Sequence, residues 1–173
     1  MLEEAGHRVL GIDISDTMVA LSRAAVPSGV FAVGDMRTWV PKAEQQSDGF
    51  DAVFNILSLF ILNREEIEEM AGKWSSWLKR GGLLCICTMA AEDLRPKKEG
   101  GSGYDEDGLC ARDIGVRFMG NQVKITLFSR EGWKWLLESK GFEVLSDKTE
   151  VHTPPPEADS DIEPHYYLIA RKK

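Results

Sequence analysis

An α/β fold, with a parallel sheet covered by helices on both sides, is what this sequence predicts, and three observations carry that prediction. Apolar runs and amphipathic segments alternate through the first half of the chain in a βαβ rhythm with short connections. The run Arg8 to Asp13 passes from apolar residues straight into a carboxylate, with Ser15 placed as a helix cap. The run Phe50 to Leu57 is apolar almost throughout, as expected of a strand covered on both faces.

The elements follow in order. Residues 8–14 read as a strand, and Asp16 to Ala25 as a helix with Met18, Leu21 and Ser22 on one face, ended by Pro27. Val30 to Val33 is a short strand before a turn at Gly34-Asp35. Arg64 to Leu78 is an amphipathic helix, with Ile67, Met70, Trp74 and Trp77 at helical spacing and acids in its first turns. Gly81-Gly82 then turns the chain into a buried strand, Leu83 to Thr88. The rhythm breaks at 91–117, where Pro96, Gly100-Gly101-Ser102-Gly103 and Asp105-Glu106-Asp107 read as a long loop, either a lid or an insert. Gln122 to Phe128 alternates as a strand. Ser129 caps a helix from Arg130 to Lys140, and Gly141 closes it. Phe142 to Ser146 is a strand, Pro154 to Glu163 an acidic, proline-rich loop, and His165 to Ala170 the last strand. Without an internal repeat, residues 1–173 read as a single domain.

Composition narrows the function. The formal charge of -7 and the scattered Lys and Arg residues argue against a nucleic-acid backbone as partner. No leading signal segment and no run of membrane-spanning length is present, so a cytoplasmic protein without a membrane partner is expected. Three cysteines, an odd number, fit a reducing compartment. Cys85 and Cys87 point to the same face of one strand, as small core residues or as a metal or redox pair. No His or further Cys stands near them at ligand spacing, and no metal site is expected.

Five segments occur in an ordered series: Gly11-Ile12-Asp13-Ile14-Ser15, Gly34-Asp35-Met36, Phe50-Asp51-Ala52-Val53, Leu78-Lys79-Arg80-Gly81-Gly82-Leu83 and Gly141-Phe142-Glu143-Val144. In this order and spacing the chain resembles the class I S-adenosylmethionine-dependent methyltransferases of small-molecule type, along essentially its whole length. The ending His165-Tyr166-Tyr167-Leu168-Ile169-Ala170-Arg171-Lys172 is similar to the last strand of such proteins. The resemblance implies a Rossmann-like methyltransferase sheet, mostly parallel with an antiparallel C-terminal strand, and S-adenosylmethionine as cofactor. It implies that Asp13, with Ile14 beside it, accepts both ribose hydroxyls, a role suited to a carboxylate. The other reading of Asp13 is a cap on the next helix. Asp35 and Met36 would meet the adenine, or form only a turn. Asn55 and Leu57 would lie near the methionine portion, or be ordinary strand residues.

The family pattern is not complete. Its first strand and Gly-rich loop, which hold the amino-acid end of the cofactor through backbone N–H groups, are missing ahead of Asp13. Met1 to His7 resembles the tail of the helix that follows that loop. Without the strand, two central strands expose unpaired edges. They pair with each other, or are completed by a second copy in an oligomer formed through exposed sheet edges, or the chain is a shortened product. Impaired cofactor binding is expected in each case. No general base stands out; His165, at the ligand end of an antiparallel last strand, is the catalytic candidate, with a plain loop histidine as its other reading. Trp39, Phe60, Phe118 and Met119 line an apolar substrate pocket or pack in the core. Methyl transfer needs mainly alignment, so the expected function is methylation of a small molecule. The alternatives are a cofactor-independent cyclase or isomerase on the same fold, and a non-catalytic partner subunit of a methyltransferase.

Overall fold

The structure is a computed structural model that describes residues 2–42, 48–94 and 103–173. The chain divides into two compact units, Met1–Lys42 and Ala43–Lys173.

The first unit is β1 (Leu10–Asp13), α1 (Asp16–Ala25) and β2 (Val30–Val33). The two strands pair in parallel, from Leu10 opposite Val30 to Asp13 opposite Val33. Ahead of them Gly6 N–H bonds the Glu3 carbonyl and His7 N–H the Leu2 carbonyl, with Gly6 at φ +84°. This is the Schellman pattern that ends helices, so Leu2 to His7 has the form of a helix terminus. Ser15 caps α1 by accepting from Met18 N–H. The expected apolar face of α1 is corrected: Val19 is the buried residue, while Met18 and Leu21 are exposed. A two-stranded ribbon covers only a narrow stripe of a helix, and Val19 lies about 100° round from Met18.

The second unit contains a sheet in the order β3 (Phe50–Ile56), β4 (Leu78–Thr88), β8 (Glu163–Lys172), β7 (Phe142–His152). β3 and β4 are parallel, and β8 is antiparallel to both of its neighbours. Three of the four strands therefore run one way and the C-terminal strand the other, as the resemblance implied. β1 pairs with β2 in the first unit, and β3 with β4 in the second. α2 (Arg64–Trp77) packs on β4, and α4 (Arg130–Ser139) packs on β7 and α2. An Asn63–Glu66 capping box starts α2, whose Ile67, Met70, Trp74 and Trp77 are buried. Leu84, Ile86, Leu168, Ala170 and Phe142 are buried with them.

Three expectations change here. β3 is not covered on both faces: Asn55 is buried, whereas Phe54 and Ile56 are about half exposed, like Leu83 and Ile169 farther along the same face. Gly81 and Gly82 do not precede β4 but form an irregularity inside it, where Phe50 pairs with Leu78 and Ala52 already with Leu83. The long loop or lid over 91–117 is not one loop. A short helix, α3 (Ala91–Leu94), opens it, and β5 (Cys110–Phe118) closes it as half of a hairpin with β6 (Asn121–Phe128). Residues 95–102 of that stretch, including Pro96 and Gly100 to Ser102, lie outside the described residues. The alternation of β5 is hidden by a bulge between Ala111 and Ile114, with Asp113 at φ +54°. The hairpin buries Ala111, Ile114, Ile125 and Leu127 with Met89 and Ala91.

Candidate functional site

In the first unit, parallel pairing brings Asp13 and Asp35 out at the same carboxyl end, the end at which open α/β sheets bind ligands. Gly34 N–H bonds the Asp13 carbonyl at 2.9 Å, which joins the two strand ends. Gly11 permits the close packing behind them, since a Cβ there would lie 2.7 Å from the Phe31 ring. Asp13 is exposed, and its Oδ1 accepts Ser15 N–H at 2.8 Å. The cap of α1 is Ser15 and not Asp13, so the Asp13 carboxylate is oriented without being used as the cap. Ile14 beside it is 65% exposed.

Asp35 is more engaged. Its carboxylate accepts Arg37 N–H at 2.9 Å and forms an ion pair with Arg37 Nη2 at 2.6 Å, while its carbonyl accepts from Thr38 and Trp39. The turn reading of Asp35 thus describes its present bonds. An adenine amine would have to displace Arg37, but a pair this exposed is worth only about 0–1 kcal/mol. Met36 is half-buried, and Trp39 packs on Gly34, where a Cβ would meet its Cδ1 at 3.0 Å.

In the second unit, Asn55 is buried in β3 and its Oδ1 accepts from Ser58 Oγ at 3.1 Å. Leu57 follows at φ +51°, a left-handed conformation costly for a branched side chain, and its N–H bonds the Cys87 carbonyl at 2.8 Å. This left-handed residue stands at the carboxyl end of a parallel strand pair, and residue types alone do not reveal it. His165 lies within β8, not in a loop, and its side chain is 12% exposed. Its Nε2 lies 2.8 Å from Glu163 Oε2, and its ring stacks on His152 at 5.2 Å.

The four pocket residues have different settings. Phe60 packs against the hairpin core around Met89 and Ala111. Phe118 and Met119 are exposed at the hairpin tip and line a groove there that does not include Phe60. Trp39 belongs to the first unit. All three cysteines are free; Cys87 and Cys110 are buried, and burial pushes the Cys110 thiol up to about 12. Cys87 shares a hydrogen bond with Tyr167. Among the described residues no cluster of His, Cys, Asp and Glu is arranged to hold a metal.

Residues 1–82 match the family model described as a methyltransferase domain. A search of curated proteins found no match. Among solved structures, the PH0226 protein of Pyrococcus horikoshii is 20% identical, with a TM-score of 0.68, over 99% of this chain and 74% of that one. A SAM-dependent methyltransferase from Methanosarcina mazei is 16% identical with a TM-score of 0.69, over 99% of this chain and 84% of that one. The 1,6-didemethyltoxoflavin-N1-methyltransferase of Burkholderia thailandensis, solved with its namesake compound and S-adenosylhomocysteine, is 15% identical with a TM-score of 0.62, over 99% of this chain and 64% of that one. The chain is therefore a protein of the class I methyltransferase fold. The likeness to methyltransferases holds in sequence over residues 1–82, and the likeness in fold extends along nearly the whole chain.

Of the residues assigned to the cofactor, the Asp13 carboxylate is chemically suited to a ribose diol. Each Asp13 oxygen has two lone pairs, so the bond from Ser15 leaves capacity for a ribose diol. Among the described residues no helix is long and apolar enough to cross a membrane.

Proposed function

We propose that this chain is an S-adenosylmethionine-dependent methyltransferase acting on a small molecule in the cytoplasm, with Asp13 as the ribose ligand. The observation that carries the reading is the Asp13 carboxylate, exposed at the carboxyl end of a parallel strand pair and oriented by Ser15 N–H. When bound, the cofactor supplies an electrophilic methyl group. The protein's own part is recognition: Asp13 accepts the two ribose hydroxyls, the exposed Ile14 and the half-buried Met36 offer apolar cover to the purine, and Asp35 accepts its amine once Arg37 turns away. Asn55 and Leu57 are assigned to the methionine portion by the resemblance alone. His165, held by Glu163, is the general-base candidate. The small-molecule reading draws on the Burkholderia thailandensis relative and its bound compound. The cytoplasmic reading draws on three free cysteines. Self-association through exposed sheet edges belongs to the same reading. Cofactor binding is proposed to be weak, and competition of Arg37 for Asp35 contributes a small part of that, about twofold.

Isothermal titration of the chain with S-adenosylmethionine and S-adenosylhomocysteine tests this. Binding is expected with a dissociation constant on the order of 100 μM, weakened about tenfold or more in Asp13→Ala, which loses charge-assisted hydrogen bonds. Arg37→Ala is expected to bind about twofold more tightly. Equal affinity of wild type and Asp13→Ala, or no heat with millimolar ligand, would sink the proposal.

A further inference from the structure

A groove of about 560 Å³ lies between the tip of the β5–β6 hairpin and the loop that joins β7 to β8. Its two walls are stitched together by main-chain groups. Met119 N–H donates to Ser160 Oγ at 2.9 Å and Gly120 N–H to the Asp159 carbonyl at 2.9 Å. Arg117 N–H donates to Asp161 Oδ2 at 2.7 Å, and Asp161 N–H returns a bond to the Arg117 carbonyl at 2.8 Å. One residue on each wall, Met119 at φ 48° and Asp159 at φ 45°, holds a left-handed backbone. Met119 and Gly120 form the two-residue turn of the β5–β6 hairpin, which needs positive φ at both positions, and Asp159 ends the short 3-10 turn Pro156–Ala158, so both walls have a defined backbone shape. The groove is therefore pre-shaped, which lowers the entropic cost of taking a ligand.

Its chemistry is two-sided. Phe118 and Met119 expose 50% and 68% of their surface, with Pro154 and Pro155 beside them. Glu157, Asp159 and Glu163 also line it, and no Lys or Arg is among the described lining residues. Asp159 is neutralised by Arg117 at 2.7 Å, which leaves Glu157 and Glu163 as the recognising carboxylates. Glu163 is fixed by His165 Nε2, and the stacked His152 ring forms part of the lining. Aromatic faces receive cations as well as apolar groups, and thioethers adapt to apolar ones. The position is also apt: β8 begins just beyond the pairing of Tyr166 with Thr88, at the carboxyl end of β4.

We propose that this groove binds a small amphipathic amine, its apolar body on Phe118, Met119 and the two prolines and its ammonium at Glu163 and Glu157. The site does not depend on the methyltransferase reading, and its test uses no cofactor. Tryptamine and its anionic counterpart, indole-3-propionate, are titrated into the full chain, followed by calorimetry and amide NMR shifts. Tryptamine is expected to bind with a dissociation constant on the order of 0.1–1 mM, as a ligand of its size allows. Indole-3-propionate is expected to bind at least tenfold more weakly. Glu163→Gln and Glu157→Gln are each expected to weaken tryptamine severalfold; Glu157 is on an exposed loop, so its variant tests the site without threatening the fold. Shifts confined to 117–120 and 152–163 support the proposal. Equal binding of the two probes, unchanged affinity in both variants, shifts elsewhere, or no tryptamine binding at 5 mM overturns it.

Discussion

Replacing Arg64 by Met removes a guanidinium while keeping most of the side-chain stem, and the structure allows its cost to be worked out. Arg64 opens α2 and is only 13% exposed. Its Nε meets Glu68 at 2.8 Å, one turn along the helix, a pair worth about 0.3–0.5 kcal/mol. Its Nη2 meets Asp107 at 2.6 Å, where the carboxylate is 43% exposed, adding about 0.5–1 kcal/mol. Its Nη1 meets Asp105 at 2.9 Å, with both partners about four-fifths buried, adding about 1–1.5 kcal/mol. Asp105 is not orphaned by the change, because Arg112 still holds its other oxygen at 2.8 Å, and Asp107 keeps Leu109 N–H. A loss of about 2–3 kcal/mol is therefore expected, short of the larger penalty for stranding a buried charge. Arg112 and Arg64 hold Asp105 and Asp107 below the usual carboxylate range, so the network's contribution is complete above about pH 4. It is lost as the pH falls through the lowered folded values. Urea unfolding followed by tryptophan fluorescence should show the midpoint of Arg64→Met lowered by about 1 M at pH 7 and by less at pH 2. A loss below about 0.5 kcal/mol at pH 7, or one of the same size at pH 2, refutes the reasoning.

Gly132→Ala places a Cβ 2.1 Å from the Leu109 carbonyl oxygen, which also accepts from Ser129 N–H and is held in place by it. The clash is with backbone, so a destabilisation of about 2–4 kcal/mol and a melting temperature lower by about 5–15 °C are expected; a melt within about 2 °C of wild type would contradict it. Thiol labelling of the native protein should modify the partly exposed Cys85 first and leave Cys110, buried and with its thiol pushed up, until unfolding. Equal rates at all three thiols would show that the β5–β6 hairpin does not shield Cys110.

What was legible in the sequence is what is encoded within a few residues. Ser15 and Ser129 sit one residue ahead of their helices, and each accepts a backbone N–H, because a cap is a local contract between neighbours. The helix stripe of Ile67, Met70, Trp74 and Trp77 was legible for the same reason. The departures come from non-local geometry. β5 was hidden because its bulge at Ala111–Ile114 breaks the alternation by which a strand is recognised, and only pairing with β6 reveals it. Asp13 was singled out in the sequence because a strand end, a carboxylate and a cap lie within three positions. Leu57 was named for its place after β3, yet its sequence gave no sign of the left-handed backbone that sets it apart. Phe118 and Met119 stood out by type, but the groove they line was not legible, since its other wall lies about forty residues farther on and is joined to them through main-chain groups and the Ser160 and Asp161 side chains. A carboxylate announces its chemistry by type, whereas a strained backbone announces it only by conformation. Asp13 and Asp35 thus stand out by residue type, whereas the left-handed backbone at Leu57, Met119 and Asp159 is visible only in the conformation.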